Sequence, residues 1–255
     1  MAKIPEKYRK RLMGLIPIER IKTWQVPRPS KPLLQELLSF DGLTPTLSDI
    51  LDSMGLTGAV PGSVLKPVLS GKKIAGPVVT LKYIPEQMTP AQSFHDRARA
   101  KLADRDAYAL TEPGDIVVID GDGRADVSAM GGLSTTVAKS YGLAGNIVDC
   151  GVRDVAEMRK LDYPVWSRGI TPITGKFRFE AFEINGPVVC AGIQVSPGDL
   201  AVADDTGVVF IPQKFIGEVL RRAVEASKKE EHLRQALEEG SSLTEIKKIL
   251  SPEKW

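Results

Sequence analysis

Residues 114–154 read GDIVVIDGDGRADVSAMGGLSTTVAKSYGLAGNIVDCGVRD, and this stretch decides the fold class. The runs IVVID and AGNIVDC are apolar and rich in β-branched residues, which predicts two buried strands. The segment TTVAKSYGL between them predicts a helix. Because two buried strands joined through a helix are typical of a parallel sheet, we predict an α/β core.

The flanking sequence adds a second layer to this core. Residues 72–84 (KKIAGPVVTLKYI) predict another apolar strand, and residues 177–212 contain short stretches broken by Gly, Pro and Asn. Such breaks indicate antiparallel strands and turns. A C-terminal helix is predicted by an apolar stripe at helical spacing. The stripe consists of Ile216, Val219, Leu220 and Val224.

These patterns divide the chain into three parts. Residues 1–34 are proline-rich and basic, so we predict an extended N-terminal arm with a short helix, which could lie on a neighbouring subunit. Residues 35–213 form the α/β domain with its β-rich second layer. Residues 214–255 form a C-terminal helical extension that ends with the short helix LTEIKKIL.

Composition excludes several classes of protein. A formal net charge of +2 in 255 residues favours no nucleic-acid partner. The cysteines, Cys150 and Cys190, lie in apolar segments and are expected to be free thiols. With only His95 and His232, a histidine-rich zinc site or a Ser-His-Asp triad is not expected. We expect a cytoplasmic protein, since we find neither a membrane-length apolar run nor a signal peptide.

A pair of glycines precedes the predicted helix in the middle of the chain. Gly131 and Gly132 allow close approach to the main chain, and Ser134 or Thr135 could cap the helix. The first N–H groups of a helix lack internal acceptors and lie at its positive end. The segment from Gly131 through Leu133 to Ser134 therefore predicts a cradle for a carboxylate or phosphate.

The next strand leads directly into Arg153 and Asp154. Because the carboxyl ends of parallel strands share one edge of a sheet, this pair should lie near the glycine pair. Arginine can grip a carboxylate, and Asp154 could hold a hard divalent cation such as Mg²⁺. From the residues alone, a capped helix with a surface ion pair explains the same pattern, and that interpretation is favoured.

A resemblance over a longer part of the sequence favours the active-site interpretation. Residues 114–172 closely resemble the family that contains 4-hydroxy-4-methyl-2-oxoglutarate / 4-carboxy-4-hydroxy-2-oxoadipate aldolase and the regulator of ribonuclease E activity A. The segments LSDILDSMGL, KIAGPVVTLK and ADDTGVVFIP also fit its pattern. The resemblance runs from about residue 40 to about residue 225, and it is carried by the order of the motifs.

The resemblance implies an α/β/β swivelling-domain fold, assembled as a homotrimer or homohexamer with active sites between subunits. It implies a class II lyase that cleaves a 4-hydroxy-2-oxo acid to pyruvate with Mg²⁺ or Mn²⁺, and that could decarboxylate oxaloacetate. Arg153 would bind the pyruvyl part, and Asp154 would be the protein ligand of the metal. The main chain around Gly131, Gly132, Leu133 and Ser134 would hold the substrate carboxylate.

The sequence departs from the aldolase pattern at one position. The aldolases usually carry an acidic residue where Gly132 stands. Asp120, Asp122, Asp204 and Asp205 are candidates to replace that acid, although all four are better explained as turn residues. Two alternatives therefore stay open: a regulatory binding protein without catalysis, and a lyase or hydratase acting on another keto acid or a sugar acid.

Overall fold

The computed structural model describes residues 4–240. The helices are α1 (Glu6–Arg9), α2 (Lys31–Leu38), α3 (Leu43–Ser53), α4 (Pro90–His95), α5 (Asp104–Ala109), α6 (Gly132–Ser140), α7 (Val155–Lys160) and α8 (Ile216–Glu238). The strands are β1 (Ala59–Pro61), β2 (Lys66–Pro67), β3 (Ile74–Pro85), β4 (Ile116–Asp120), β5 (Ser128–Met130), β6 (Gly145–Val152), β7 (Val165–Ile170), β8 (Phe179–Ile184), β9 (Val188–Cys190), β10 (Ile193–Val195), β11 (Leu200–Asp204) and β12 (Gly207–Ile211).

Ten of these strands form one mixed sheet. Eight of them follow the order β1-β12-β11-β3-β4-β6-β7-β2, and β5 and β8 pair beside this path. Strands β3, β4, β6 and β7 run parallel, whereas β11 and β12 continue the sheet in antiparallel pairing. Strand β5 pairs parallel with the end of β6, and β8 pairs antiparallel with β3. The predicted α/β core with an added antiparallel layer is therefore confirmed.

The central strands are buried on both faces. Along β6, Ile147 belongs to the apolar cluster shared with β11 and β12, whereas Val148 belongs to the cluster under helices α5 to α7. Successive side chains of a strand point to opposite faces, so a strand covered on both sides reads as a continuous apolar run. This is why the sequence of β4 and β6 predicted buried strands.

The N-terminal arm packs on its own chain. Tyr8 is fully buried, and Arg28 donates two hydrogen bonds to Asp115 at 3.0 and 2.7 Å. The arm contains the expected short helix, α1, and these contacts lie within the chain. The three-part division stays a prediction, and the segment LTEIKKIL lies outside the described residues.

The C-terminal prediction is confirmed in its first part, where α8 covers α3 with the stripe that includes Val219 and Leu220. Within residues 4–240, no helix combines the length and the apolar character that crossing a lipid bilayer requires.

Candidate active site

Two helix starts meet at one edge of the sheet, as the sequence predicts. Strand β5 ends at Met130, which pairs with Val152 at the end of β6. The Arg153 N–H donates to the Met130 carbonyl at 3.0 Å. The pairing holds the turn before α6 against the turn before α7. Gly131, Gly132, Arg153 and Asp154 are thereby brought together.

Gly131 leaves room for the charged side chains in their present positions. A Cβ built on Gly131 would lie 2.7 Å from Asp154 Oδ2 and 3.1 Å from Arg153 Nε. The backbone of Gly131 is extended (φ −143°), so its conformation alone would admit any residue. The contact distance, rather than the dihedral angle, therefore explains the glycine.

Asp154 is held in place by its backbone and by one hydrogen bond, yet it stays exposed. Its φ of 56° and ψ of 40° lie in the left-handed region, which aspartate occupies more readily than most residues and which Asp122 and Asp162 also adopt. Its Oδ2 atom accepts the Gly132 N–H at 2.9 Å, so the carboxylate caps the neighbouring helix. The side chain is still 49% exposed, which leaves it open to a ligand.

Arg153 is only loosely paired with its neighbour. Its Nε lies 3.6 Å from Asp154 Oδ2, and its side chain is 37% exposed. An exposed ion pair at this distance contributes little to stability. The fork-shaped guanidinium therefore remains available to bind a carboxylate from solution.

The side chain of Ser134 does not face the site. Its hydroxyl donates to Asp104 Oδ2 at 2.5 Å and contacts Tyr108 Oη at 2.9 Å, inside the protein. The prediction that the side chain of Ser134 or Thr135 caps α6 is wrong. Asp154 supplies the acceptor for the Gly132 N–H, and Thr135 Oγ1 instead donates to the Gly131 carbonyl. Any contact of Ser134 with a ligand would come from its main-chain N–H, as the resemblance implies.

Leu133 and its neighbours make this edge of the sheet apolar. Leu133 is 75% exposed, and Ile170, which pairs with Val152, is 64% exposed. Ile173 is 41% exposed, and its carbonyl accepts the N–H of Ser128 at the start of β5. Three exposed apolar side chains therefore lie on the segments next to the charged pair.

Glu157 is the residue that sequence reasoning missed. A Cβ built on Gly132 would lie 3.3 Å from Glu157 Cγ, so Glu157 fills the space beside the glycine. Glu157 and Asp154 are three residues apart at the start of α7 and therefore share one face of that helix. This spacing was the signal in the sequence, but its link to Gly132 depends on how two helices pack.

The four aspartates considered as replacements have other structural settings. Asp120 accepts the N–H groups of Asp122 and Val189, and burial raises its pKa. Asp204 accepts from Thr44 and Thr206, and Asp205 accepts the Gly71 N–H at 2.8 Å. Asp122 occupies a left-handed turn position. These roles agree with the turn interpretation that the sequence favoured.

The donor set fits a weakly held hard cation. Asp154 and Glu157 offer carboxylate oxygens, the donor type that Mg²⁺ and Mn²⁺ prefer. Across residues 4–240, no group of three or more His, Cys, Asp or Glu side chains could enclose a metal ion. A cation here would therefore depend on one or two carboxylates and complete its coordination with oxygens from outside the protein.

The fold and the site together define a class of protein. Ligand sites of open α/β sheets lie at the carboxyl ends of parallel strands, where Arg153 and Asp154 stand beside the glycine-lined start of α6. The chain belongs to the RraA-like family, whose model is described as Aldolase/RraA and matches residues 44–210. The resemblance seen in the sequence and the fold that it implies are both confirmed.

Individual relatives carry different names. The chain is 32% identical over 216 residues to Protein DlpA of Legionella pneumophila, covering 84% of this chain but only 33% of that protein. It is 32% identical over 180 residues to a Halalkalibacterium halodurans protein called "Putative 4-hydroxy-4-methyl-2-oxoglutarate aldolase", covering 71% of this chain and 77% of the relative.

Among solved structures, RraAS2 of Streptomyces coelicolor is similar, with a TM-score of 0.68 and 27% identity over 82% of this chain and 98% of that one. That structure is described as an unusual member of the RNase ES inhibitor RraA protein family. The family thus includes proteins named for aldolase activity and proteins named for inhibition of a ribonuclease.

Proposed function

We propose that this protein is a divalent-metal-dependent lyase that cleaves a 4-hydroxy-2-oxo acid and releases pyruvate. One observation carries the proposal: the exposed Asp154 carboxylate is held by the Gly132 N–H beside a loosely paired Arg153. The 32% identity to a relative named as an aldolase supports the same reaction class. The proposal does not specify the part of the substrate beyond C4.

Asp154 is the residue that would hold the metal, as Mg²⁺ or Mn²⁺. When bound, the cation supplies Lewis acidity toward the oxygen on C2 of the substrate. The Gly132 N–H orients Asp154 for that role through its bond to Oδ2. The Asp154 side chain is 49% exposed, so a ligand can reach the carboxylate.

Arg153 and the start of α6 would bind the pyruvyl part of the substrate. The N–H groups of Leu133 and Ser134 lie in the first turn of α6, where a helix offers no acceptor. They suit the substrate carboxylate, since the Gly132 N–H already serves Asp154. The Arg153 guanidinium stabilises negative charge that develops on the enolate.

Glu157 would supply the acid that Gly132 lacks. Its carboxylate accepts the proton of the C4 hydroxyl while the C3–C4 bond breaks. The electrons of that bond stay on the pyruvyl fragment as an enolate, and C4 leaves as a carbonyl. Return of a proton to C3 then gives pyruvate. Oxaloacetate would form the same enolate by losing carbon dioxide, with no hydroxyl proton to remove.

We also propose that the site is completed by further copies of the chain, in a homotrimer or homohexamer. The exposed Leu133, Ile170 and Ile173 beside the charged pair support an interface at this edge. A cytoplasmic location and the absence of a nucleic-acid partner stay predictions.

Pyruvate release from oxaloacetate, with and without Mn²⁺, tests the proposal. We expect metal-dependent turnover in the wild type and its loss in Arg153→Ala and Asp154→Ala. Arg234 and Asp41 provide a matched control, since they form an exposed pair at 3.5 Å between α8 and the turn before α3, elements that do not belong to the site. Arg234→Ala and Asp41→Ala should retain full turnover. Equal turnover in both sets of variants would contradict the proposal.

A regulatory binding protein is the second candidate, favoured by the structural likeness to RraAS2. Such a protein would not need the charge of Asp154. A screen of 4-hydroxy-2-oxo acids for pyruvate release separates the two, because the regulator would release none with any of them.

A further inference from the structure

A chain of buried hydrogen bonds includes Ser134 in the first turn of α6. Tyr163 Oη donates to Asn146 Oδ1 at 2.6 Å, and Asn146 Nδ2 donates to Tyr108 Oη at 3.4 Å. Tyr108 Oη lies 2.9 Å from Ser134 Oγ, which in turn lies 2.5 Å from Asp104 Oδ2. All five side chains belong to buried residues.

The protons in this chain can be assigned from its two ends. The Ser134 hydroxyl donates its only proton to Asp104, so it must accept from Tyr108. The Tyr108 oxygen accepts from Asn146, whose own oxygen accepts from Tyr163. Every proton therefore points toward Asp104, and the carboxylate is the terminal acceptor.

The chain links three neighbouring elements. Ser134 is the third residue of α6, which begins at Gly132. Asn146 lies at the beginning of β6, whose other end leads to Arg153 and Asp154. Tyr163 follows the end of α7, and its N–H donates to the carbonyl of Met158 in that helix at 3.1 Å. The bonds thus tie the start of α6 to the first residues of β6 and to the segment after α7.

Helix α5, which carries Asp104, is fixed from its other side by the N-terminal arm. The Asp106 carboxylate accepts the N–H groups of Met13 at 2.6 Å, Leu15 at 2.5 Å and Ile16 at 3.3 Å. A helix of six residues has little stability alone, so these bonds make α5 a firm support.

We propose that Asp104 is a positioning residue that, through Ser134, holds the first turn of α6 so that the Gly132 N–H stays on Asp154. The inference rests on the proposed function only where turnover is concerned. Asp104 is buried inside the protein. Burial raises its pKa, and the hydrogen bond from the Ser134 hydroxyl opposes that shift. It has no path to substrate and is not itself catalytic.

Hydrogen exchange of residues 131–135, read at the bonded N–H groups of Gly132 and Thr135, tests the positioning directly. Ser134→Ala removes one hydroxyl and is the mildest break of the chain, and Asp104→Ala removes its terminal acceptor. We expect exchange in this segment to accelerate about tenfold in both variants. Exchange in α8, remote from the chain, should be unchanged. Asp104→Asn keeps one oxygen for Ser134 and should stay closer to the wild type than Asp104→Ala.

Ser140→Ala is the matched control, because Ser140 lies on the same helix and its hydroxyl donates to the Val137 carbonyl at 2.7 Å, outside the chain. It should leave exchange at residues 131–135 unchanged. If Ser134→Ala also leaves exchange there unchanged, the positioning role is overturned, whatever the catalytic result.

Turnover with oxaloacetate and Mn²⁺ provides the second measurement. We expect Ser134→Ala to lower kcat more than it changes KM, since the substrate contacts of Arg153 remain. A faster exchange at residues 131–135 with unchanged kcat would also overturn the inference. An inactive wild type would instead refute the proposed function, and the exchange measurement alone would then decide whether Asp104 holds the helix start.

Discussion

Two of the arginine–aspartate pairs include an aspartate in or directly after β6, and they are built in opposite ways. In the buried pair, Asp149 accepts Arg168 Nε with one oxygen and the Ala191 N–H, at 2.7 Å, with the other. In the site pair, Arg153 Nε lies 3.6 Å from Asp154, whose side chain is 49% exposed. The Asp149 side chain is only 5% exposed.

The difference shows what each pair is for. Both oxygens of Asp149 are used to hold β7 and the β9–β10 turn against β6, so the buried pair is structural. Asp154 uses one oxygen for the Gly132 N–H, and its side chain stays open to solvent. An accessible carboxylate of this kind is what the proposed function requires.

Breaking the buried pair should produce the largest effect on stability. Asp149→Ala leaves the partly exposed Arg168 and the Ala191 N–H without their acceptor, and we expect a loss of about 1–3 kcal/mol in the free energy of unfolding. Urea denaturation followed by circular dichroism measures it. Asp149→Asn, which keeps an acceptor for the Ala191 N–H, should lose less, and equal losses would show that the charge does not matter.

Breaking the site pair should affect turnover and spare the fold. Asp154→Asn keeps an oxygen for the Gly132 N–H but loses the negative charge, so we expect turnover with oxaloacetate to fall about 10²–10³-fold. The free energy of unfolding should change by less than about 1 kcal/mol, as at exposed positions. A large loss of stability with retained turnover would reverse the assignment of the two pairs.

Glu157→Gln sharpens the role of the acid beside the site pair. Loss of the proton acceptor should lower cleavage of a 4-hydroxy-2-oxo acid about 10²-fold. Decarboxylation of oxaloacetate removes no hydroxyl proton and should fall less. Steady-state pyruvate release from the two substrates gives the ratio, and an equal loss with both would remove Glu157 as the base.

The two glycines of the site offer the smallest and most closely matched comparison. Gly131→Ala places a Cβ 2.7 Å from Asp154 Oδ2, so the carboxylate must move off the Gly132 N–H, and we expect loss of this cap to lower the unfolding free energy by about 0.5–2 kcal/mol. Gly132→Ala meets Glu157 Cγ at 3.3 Å and should stay within about 1 kcal/mol of the wild type. Thermal denaturation of both variants decides the order.

Much of this arrangement was predictable from the sequence, because it depends on neighbours along the chain. Strands β4 and β6, the glycine pair before α6 and the adjacency of Arg153 and Asp154 all follow from local pattern. The parallel order of the strands then brings the two helix starts to one edge.

The rest depends on packing between elements that are distant in sequence. Ser134 turns inward because Asp104 and Tyr108 offer it partners, and Asp154 caps α6 because β5 pairs with β6. Glu157 lies beside Gly132 only through the contact of α7 with α6. No local pattern encodes these contacts.

Calorimetric titration of Mn²⁺, with and without oxalate as a mimic of the pyruvate enolate, tests the central claim most directly. For the wild type we expect oxalate to tighten Mn²⁺ binding by about tenfold or more, since both ligands would share one site. Asp154→Asn should abolish this coupling, whereas Asp41→Ala should retain it. Equal Mn²⁺ binding with and without oxalate in the wild type, or undiminished coupling in Asp154→Asn, would contradict a metal-dependent site at Arg153 and Asp154.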